Sequence, residues 1–304
     1  MKIGLIDVDS KNFPNVALMK LSAYHKRIGN DVSMYVPLFD YNAVYMSKVF
    51  TFTKDIKIER SNCAVIKGGS GYDLEKKLPE EIDNMYPDYS LYSITDTAFG
   101  YLTRGCPRKC SFCIVCKKEG TKSRQAYKLS QFWNGQKKIK LLDPNITAAS
   151  NCIDLFNELA ETKALVDFTQ GLDLRLLTDA KMEAIKKIKL ERVHFAWDRI
   201  EDEKIICERL ETFLKNVTSD YRKVVLYVLV NFDTTFEQDL YRINKIREIG
   251  ASPYVMIYEA ETADKKYTKL RQWVNARAKW RTNKNFNEFL EKEEKLRHKA
   301  GVLF

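Results

Sequence analysis

Three thiols within eight residues set the chemistry this sequence can perform. They are Cys106, Cys110 and Cys113 in the run Arg104-Gly105-Cys106-Pro107-Arg108-Lys109-Cys110-Ser111-Phe112-Cys113. Closely spaced thiolates are soft donors suited to an iron-sulfur cluster or zinc. If these three hold a cubane of four irons, one iron lacks a protein ligand, and an open position is what separates a reactive metal site from a structural one. Cys116 leaves an alternative open. With it the donor set becomes four thiolates, which would make a fully ligated electron-transfer cluster or a structural zinc site. Cys63, Cys152 and Cys207 lie on apolar patterns and read as buried core residues. With three histidines in all, His25, His194 and His298, a histidine-rich metal site is not expected.

A reactive loop needs elements that hold it in place, and from Phe99 onward strand and helix patterns alternate. Strands are expected at Phe99–Thr103, Lys138–Leu142, Val166–Thr169, Arg192–Trp197, Val224–Val230 and Tyr254–Tyr258, with helices between, such as Thr178–Ile188 capped by Thr178. Six such units imply parallel strands joined by right-handed crossovers, in an open doubly wound sheet or a barrel-like one. Both architectures place chemistry at the carboxyl ends of the strands, and the cysteine loop directly follows the first of them. Before this region, Lys2–Val8, a helix over Asn15–Ile28 closed by Gly29, and Asp31–Val36 read as a βαβ unit. Cys63–Ile66 reads as a strand running into Gly68-Gly69-Ser70-Gly71, which is turn chemistry because the Lys-Ser/Thr of a phosphate-binding loop is missing.

The spacing CxxxCxxC, with the aromatic Phe112 immediately before the last cysteine, resembles the signature of the radical S-adenosylmethionine (radical SAM) enzymes, and its position after the first strand of a six-unit β/α region agrees. The likeness covers about residues 98–260. It implies an α/β fold with a partial (β/α)6 barrel over residues 96–261 as the radical SAM core. A small Rossmann-like βαβ domain over 1–95 would precede that core, and a basic helical extension over 262–304 would follow it. It further implies a four-iron four-sulfur cluster on Cys106, Cys110 and Cys113, with S-adenosylmethionine chelating the fourth iron. In the family, one electron from the reduced cluster splits the sulfonium to a 5'-deoxyadenosyl radical that abstracts hydrogen from a substrate. Phe112 would line the adenine side, and an external donor such as flavodoxin or ferredoxin would supply the electron.

Polar residues at the strand ends are the remaining cofactor-binding candidates. Gln170, Asp173 and Asp198 can bond ribose hydroxyls, and Arg175 can grip a carboxylate as a bidentate fork, with an Arg175-Asp173 pair fixing the loop as the competing account. Asn231 is similarly placed after the fifth strand. The chain departs from the family twice here. Where relatives carry Gly-Gly-Glu near the SAM amine it has Asp143-Pro144-Asn145, so Asp143 or Asn145 would take that role unless they cap or turn the chain. A glycine-rich stretch near adenine is also missing. The N-terminal region resembles a shortened cobalamin-binding domain through Ile6-Asp7, Phe13-Pro14-Asn15 and Ile28-Gly29, but it lacks the Asp-x-His-x-x-Gly motif, so cobalamin is not expected.

Composition narrows the function classes. The chain has 304 residues, 45% of them hydrophobic, which excludes a disordered chain and favours two domains. Charge at Asp7 interrupts any signal-peptide run, and the longest apolar stretch, Val224–Val230, is far too short for a bilayer, so a cytoplasmic protein without a membrane partner is expected. Net charge is +10 and uneven: residues 265–304 hold 12 Lys+Arg against 4 Asp+Glu, and residues 117–140 hold 8 against 1. Such asymmetry favours an anionic substrate or partner, a nucleotide or nucleic acid, over a peptide. Trp273 and Trp280, seven apart among Arg271, Arg277, Lys279 and Arg281, read as a core stripe rather than a stacking platform. The rival to a radical enzyme is a non-catalytic nucleic-acid-binding or electron-transfer protein built on a four-cysteine metal site.

Overall fold

In the computed structural model, which describes residues 1–10, 13–59 and 63–301, the chain is mixed α/β with parallel sheets. Lys2–Asp7 forms β1, Val16–Arg27 forms α1 and Asp31–Met34 forms β2, which pairs in parallel with β1 and completes the expected βαβ unit. The Asn15 side chain starts α1 by accepting from Leu18 N at 3.2 Å, a side-chain cap on an otherwise orphaned amide. His25, Lys26 and Arg27 place basic groups against its carboxyl end, and Gly29 leaves the helix at φ +80°.

Ala43–Ser47 (β3) and Ala64–Gly68 (β4) extend this sheet in the order β2-β1-β3-β4. Ile3, Leu5, Leu18 and Leu21 pack on its α1 side, while Ile6, Tyr41, Val44 and Met46 form a second cluster. Cys63 is half-buried beside that second cluster, a correction to its expected burial, whereas Cys152 and Cys207 are buried as expected. Gly68-Gly69-Ser70-Gly71 forms a turn in which Gly71 N donates to Lys48 O at 2.9 Å.

After the short helix α2 (Glu80–Asp83) come β5 (Thr97–Gly100), β6 (Thr103–Arg104), α3 (Val115–Glu119), β7 (Arg124–Gln125), β8 (Lys138–Leu141), α4 (Cys152–Glu161) and β9 (Leu165–Phe168). The chain continues through α5 (Asp179–Lys186), β10 (Leu190–Ala196), α6 (Glu203–Asn216), β11 (Val224–Val230), α7 (Phe236–Ile249) and β12 (Ser252–Ile257). A six-stranded sheet has the order β12-β11-β10-β9-β8-β5. Strand order follows chain order without a reversal, so this sheet is not doubly wound; β2-β1-β3-β4 does reverse. The expected strand Phe99–Thr103 is two pieces: β5 joins the sheet, and β6 pairs antiparallel with β7.

Contacts divide the chain into two units, Met1–Leu155 with Thr162–Asp167, and Phe156–Glu161 with Phe168–Phe304. The boundaries expected after residues 95 and 261 both lie inside a unit. The second unit ends in α8 (Lys265–Asn275), α9 (Arg277–Thr282) and α10 (Phe286–Gly301), and residues 302–304 of the expected extension lie outside the described residues. Trp273 is fully buried, with the Trp280 ring 4.7 Å from its own. The Arg247 guanidinium lies 4.1 Å from the Trp280 ring and donates to Trp280 O at 2.7 Å, which ties α7 to the end of α9. Among the described residues no helix is long and apolar enough to cross a membrane.

Candidate metal centre

The cysteines sit in a hairpin whose mouth is fixed by backbone geometry. Thr103 pairs with Gln125 and Arg104 with Arg124, so residues 105–123 leave and return at one place. Gly105 enters at φ +89°, where a Cβ would stand 2.1 Å from Lys122 O; the turn therefore requires glycine. Gly105 N donates to Glu119 Oε2 at 3.1 Å and Cys106 N to Gly120 O at 3.1 Å. Arg104 Nη2 lies 3.0 Å from Glu119 Oε1, a pair whose carboxylate side chain is only 8% exposed. Within the loop Cys113 N donates to Cys110 O at 3.0 Å, and α3 carries Cys116 with its sulfur 4.0 Å from Cys113 O.

Cys106, Cys110, Cys113 and Cys116 are all half-buried thiols. Among the described residues no three His, Cys, Asp or Glu side chains are gathered as a metal-ligating group. The four thiols are soft donors of the kind that iron-sulfur and zinc sites use, but the structure does not gather them as ligands. Binding would have to draw the three thiols together, as metal binding coupled to local folding does.

Two residues beyond β8 bear on this loop. Asp143 is buried and accepts from Leu102 N at 3.1 Å, from Thr103 Oγ1 at 2.7 Å, and from Thr103 N. It braces the chain between β5 and β6 and caps no helix. Burial pushes its carboxyl up to about 6, against the downward pull of those hydrogen bonds and of Arg104. Asn145, also buried, directs Nδ2 at Cys106 Sγ across 3.5 Å, while its carbonyl oxygen accepts from Ser123 Oγ at 2.8 Å. The sequence drew attention to Asn145 only as a partner for a cofactor amine; its place beside a thiol depends on a contact 39 residues long.

The strand-end residues of the second unit are found as follows. Gln170 is exposed just past β9. Asp173 Oδ1 accepts from Arg175 Nε at 2.7 Å, and Arg175 Nη1 reaches Asp202 Oδ2 at 2.6 Å, so the loop-fixing pair is present and extended by a second acid. Asp198 accepts from Leu229 N at 3.2 Å; burial pushes its carboxyl up, opposed by that hydrogen bond, Arg242 and Arg175. Asn231, at φ +65°, donates Nδ2 to Tyr258 O at 3.0 Å. Phe112 is half-buried in the first unit's cysteine loop. Missed from sequence was the buried Arg242, which bonds Trp197 O, Leu229 O and Asp239 and thereby ties the ends of β10 and β11 to α7. An arginine on a helix face that otherwise reads as amphipathic gives no sign of this.

Comparison with known protein families finds no matching family model, and comparison with curated proteins finds no significant match.

Proposed function

We propose that this protein is a radical SAM enzyme with a partial (β/α)6 barrel core, in which Cys106, Cys110 and Cys113 hold a four-iron four-sulfur cluster. The observation that carries the reading is the placement of CxxxCxxC: it follows the first strand of a six-stranded sheet whose order runs with the chain, as successive β/α units winding in one direction require. When bound, the cluster supplies the electron that cleaves S-adenosylmethionine reductively, taken from an external donor such as flavodoxin or ferredoxin.

The chain's own residues set up that chemistry. Gly105, Glu119 and Gly120 close the hairpin mouth and present the thiols on one restrained loop. Asp143 fixes Leu102 and Thr103, so the approach to Cys106 is held in register with β8. Asn145 offers an N–H to Cys106 Sγ, which favours negative charge on that sulfur. Phe112 supplies an aromatic face for adenine. Gln170, Asp173, Arg175, Asp198 and Asn231 remain cofactor candidates at the strand ends of the second unit; Gln170 is the exposed one, and the other four already serve protein partners. The substrate favoured by charge is a nucleotide or nucleic acid.

The test is iron and sulfide analysis with EPR after anaerobic reconstitution of single cysteine variants. Cys106→Ala, Cys110→Ala and Cys113→Ala should each lose the cluster and Cys116→Ala should keep it. Loss on Cys116→Ala as well would favour a four-thiolate electron-transfer or zinc protein.

A further inference from the structure

We infer that the outer face of the cysteine hairpin docks the phosphate backbone of a nucleic acid strand through Lys117, Lys122, Arg124 and Lys128. Delivery of that strand to a reactive centre rests on the reading of Cys106, Cys110 and Cys113 above; the docking surface stands apart from it.

Between Gly105 and Gln125 the chain carries six Lys+Arg and a single acid, Glu119. That acid contributes nothing to the outer surface, because its carboxylate is turned in upon Arg104 Nη2 and Gly105 N. Lys117, Lys122, Arg124 and Lys128 are all exposed, and none has an ion-pair partner among the described residues. Three other cations of this unit are paired, Lys20 with Asp83 and both Lys48 and Lys67 with Asp55. Ser123 is drawn inward by its bond to Asn145 O, with exposed Lys122 and Arg124 on either side of it. Like charges so concentrated repel one another, and a bound polyanion relieves that repulsion while releasing its counterions.

Beside Ala126, the exposed residues among these cations are Thr121, Gln125 and Ser130, which can donate to phosphate and sugar. Among the described residues Ile114 is the single large apolar side chain exposed between residues 105 and 140, and no aromatic ring is exposed there. A protein partner would need an apolar, aromatic-rich centre to its interface, so the surface suits a nucleic acid rather than an acidic protein. Four cations between residues 117 and 128 also exceed what one phosphate group can engage.

Fluorescence anisotropy of the full-length, anaerobically reconstituted protein with labelled oligouridylate and oligothymidylate, at several salt concentrations, tests this. The variant Lys117→Glu, Lys122→Glu, Arg124→Glu, Lys128→Glu should bind about tenfold more weakly or worse, with the slope of log K against log salt shallower by roughly 3. A control with the same net charge, Lys187→Glu, Lys189→Glu, Lys204→Glu, Lys215→Glu, all exposed residues of the second unit, should stay within about threefold of the parent, because it leaves the four docking cations in place. A matching set of glutamine substitutions replaces the reversal if that variant does not melt like the parent. Equal losses in variant and control, no binding at low salt, or stronger displacement by polyglutamate than by unlabelled RNA would each overturn the inference. Protein that takes up no iron on anaerobic reconstitution yet still binds with the expected pattern would overturn the cluster reading and leave the docking surface standing.

Discussion

Asn145 Nδ2 stands 3.5 Å from Cys106 Sγ, and the far end of the same amide is held by Thr147 Oγ1, which lies 2.6 Å from Asn145 Oδ1. Hydrogen bonds to cluster sulfur raise the reduction potential by stabilising the added negative charge. Asn145→Ala should accordingly assemble its iron and sulfide while its EPR-monitored midpoint moves to a more negative value. An unchanged midpoint in a fully loaded variant would remove Asn145 from this role.

Asp143 makes stability depend on pH. Its folded value of about 6 lies above the ordinary 3.8, so its contribution is complete below the unfolded value and is lost as pH rises through about 6. Denaturant unfolding should show the parent losing on the order of 2 kcal/mol between pH 4 and pH 7 that Asp143→Asn does not lose. At low pH the same variant should lie within about 1 kcal/mol of the parent, because the neutral acid, like the amide, turns a donor as well as an acceptor towards Leu102 and Thr103. Parallel pH profiles for the two proteins would show that Asp143 does not titrate in this range.

The carboxyl-terminal helices separate packing from charge. Trp273 is fully buried against Trp280 and Phe286, so Trp273→Ala should cost about 3–5 kcal/mol, and the half-buried Trp280 less. Arg271, Arg277 and Arg281 are exposed without ion-pair partners among the described residues, whereas Lys279 is paired with Glu293 at 2.8 Å. Reversing the three arginines should leave the melting temperature within a few degrees of the parent, roughly ±0.5 kcal/mol in stability. A tryptophan variant that melts normally but loses nucleic-acid affinity would make these rings a stacking surface instead.

What could be read in the sequence was whatever is local. Thr178 caps α5 through Lys181 N at 3.4 Å, as its position before a helical pattern suggests, and β11 is the apolar run Val224–Val230 itself. The β3 strand was missed because Ala43–Ser47 is short and follows a loop whose Tyr41 ring, rather than a helix, covers the sheet. β6 and β7 are two residues each, below any periodic signal. At the candidate site the cysteine spacing was visible, but the bonds of Asp143 to Thr103 and of Asn145 to Cys106 span 40 and 39 residues. Nothing in the run Asp143-Pro144-Asn145 says which distant backbone it will meet. The composition did reveal the basic hairpin; that Glu119 is withdrawn from its surface needed the fold.

Formation of 5'-deoxyadenosine tests most directly whether Cys106, Cys110 and Cys113 leave an iron open for S-adenosylmethionine. Reconstituted, chemically reduced protein incubated with S-adenosylmethionine should release 5'-deoxyadenosine, as should Cys116→Ala, while Cys106→Ala, Cys110→Ala and Cys113→Ala should release none. Zinc in place of iron, or a fully loaded and reduced cluster that leaves S-adenosylmethionine intact, would contradict the account.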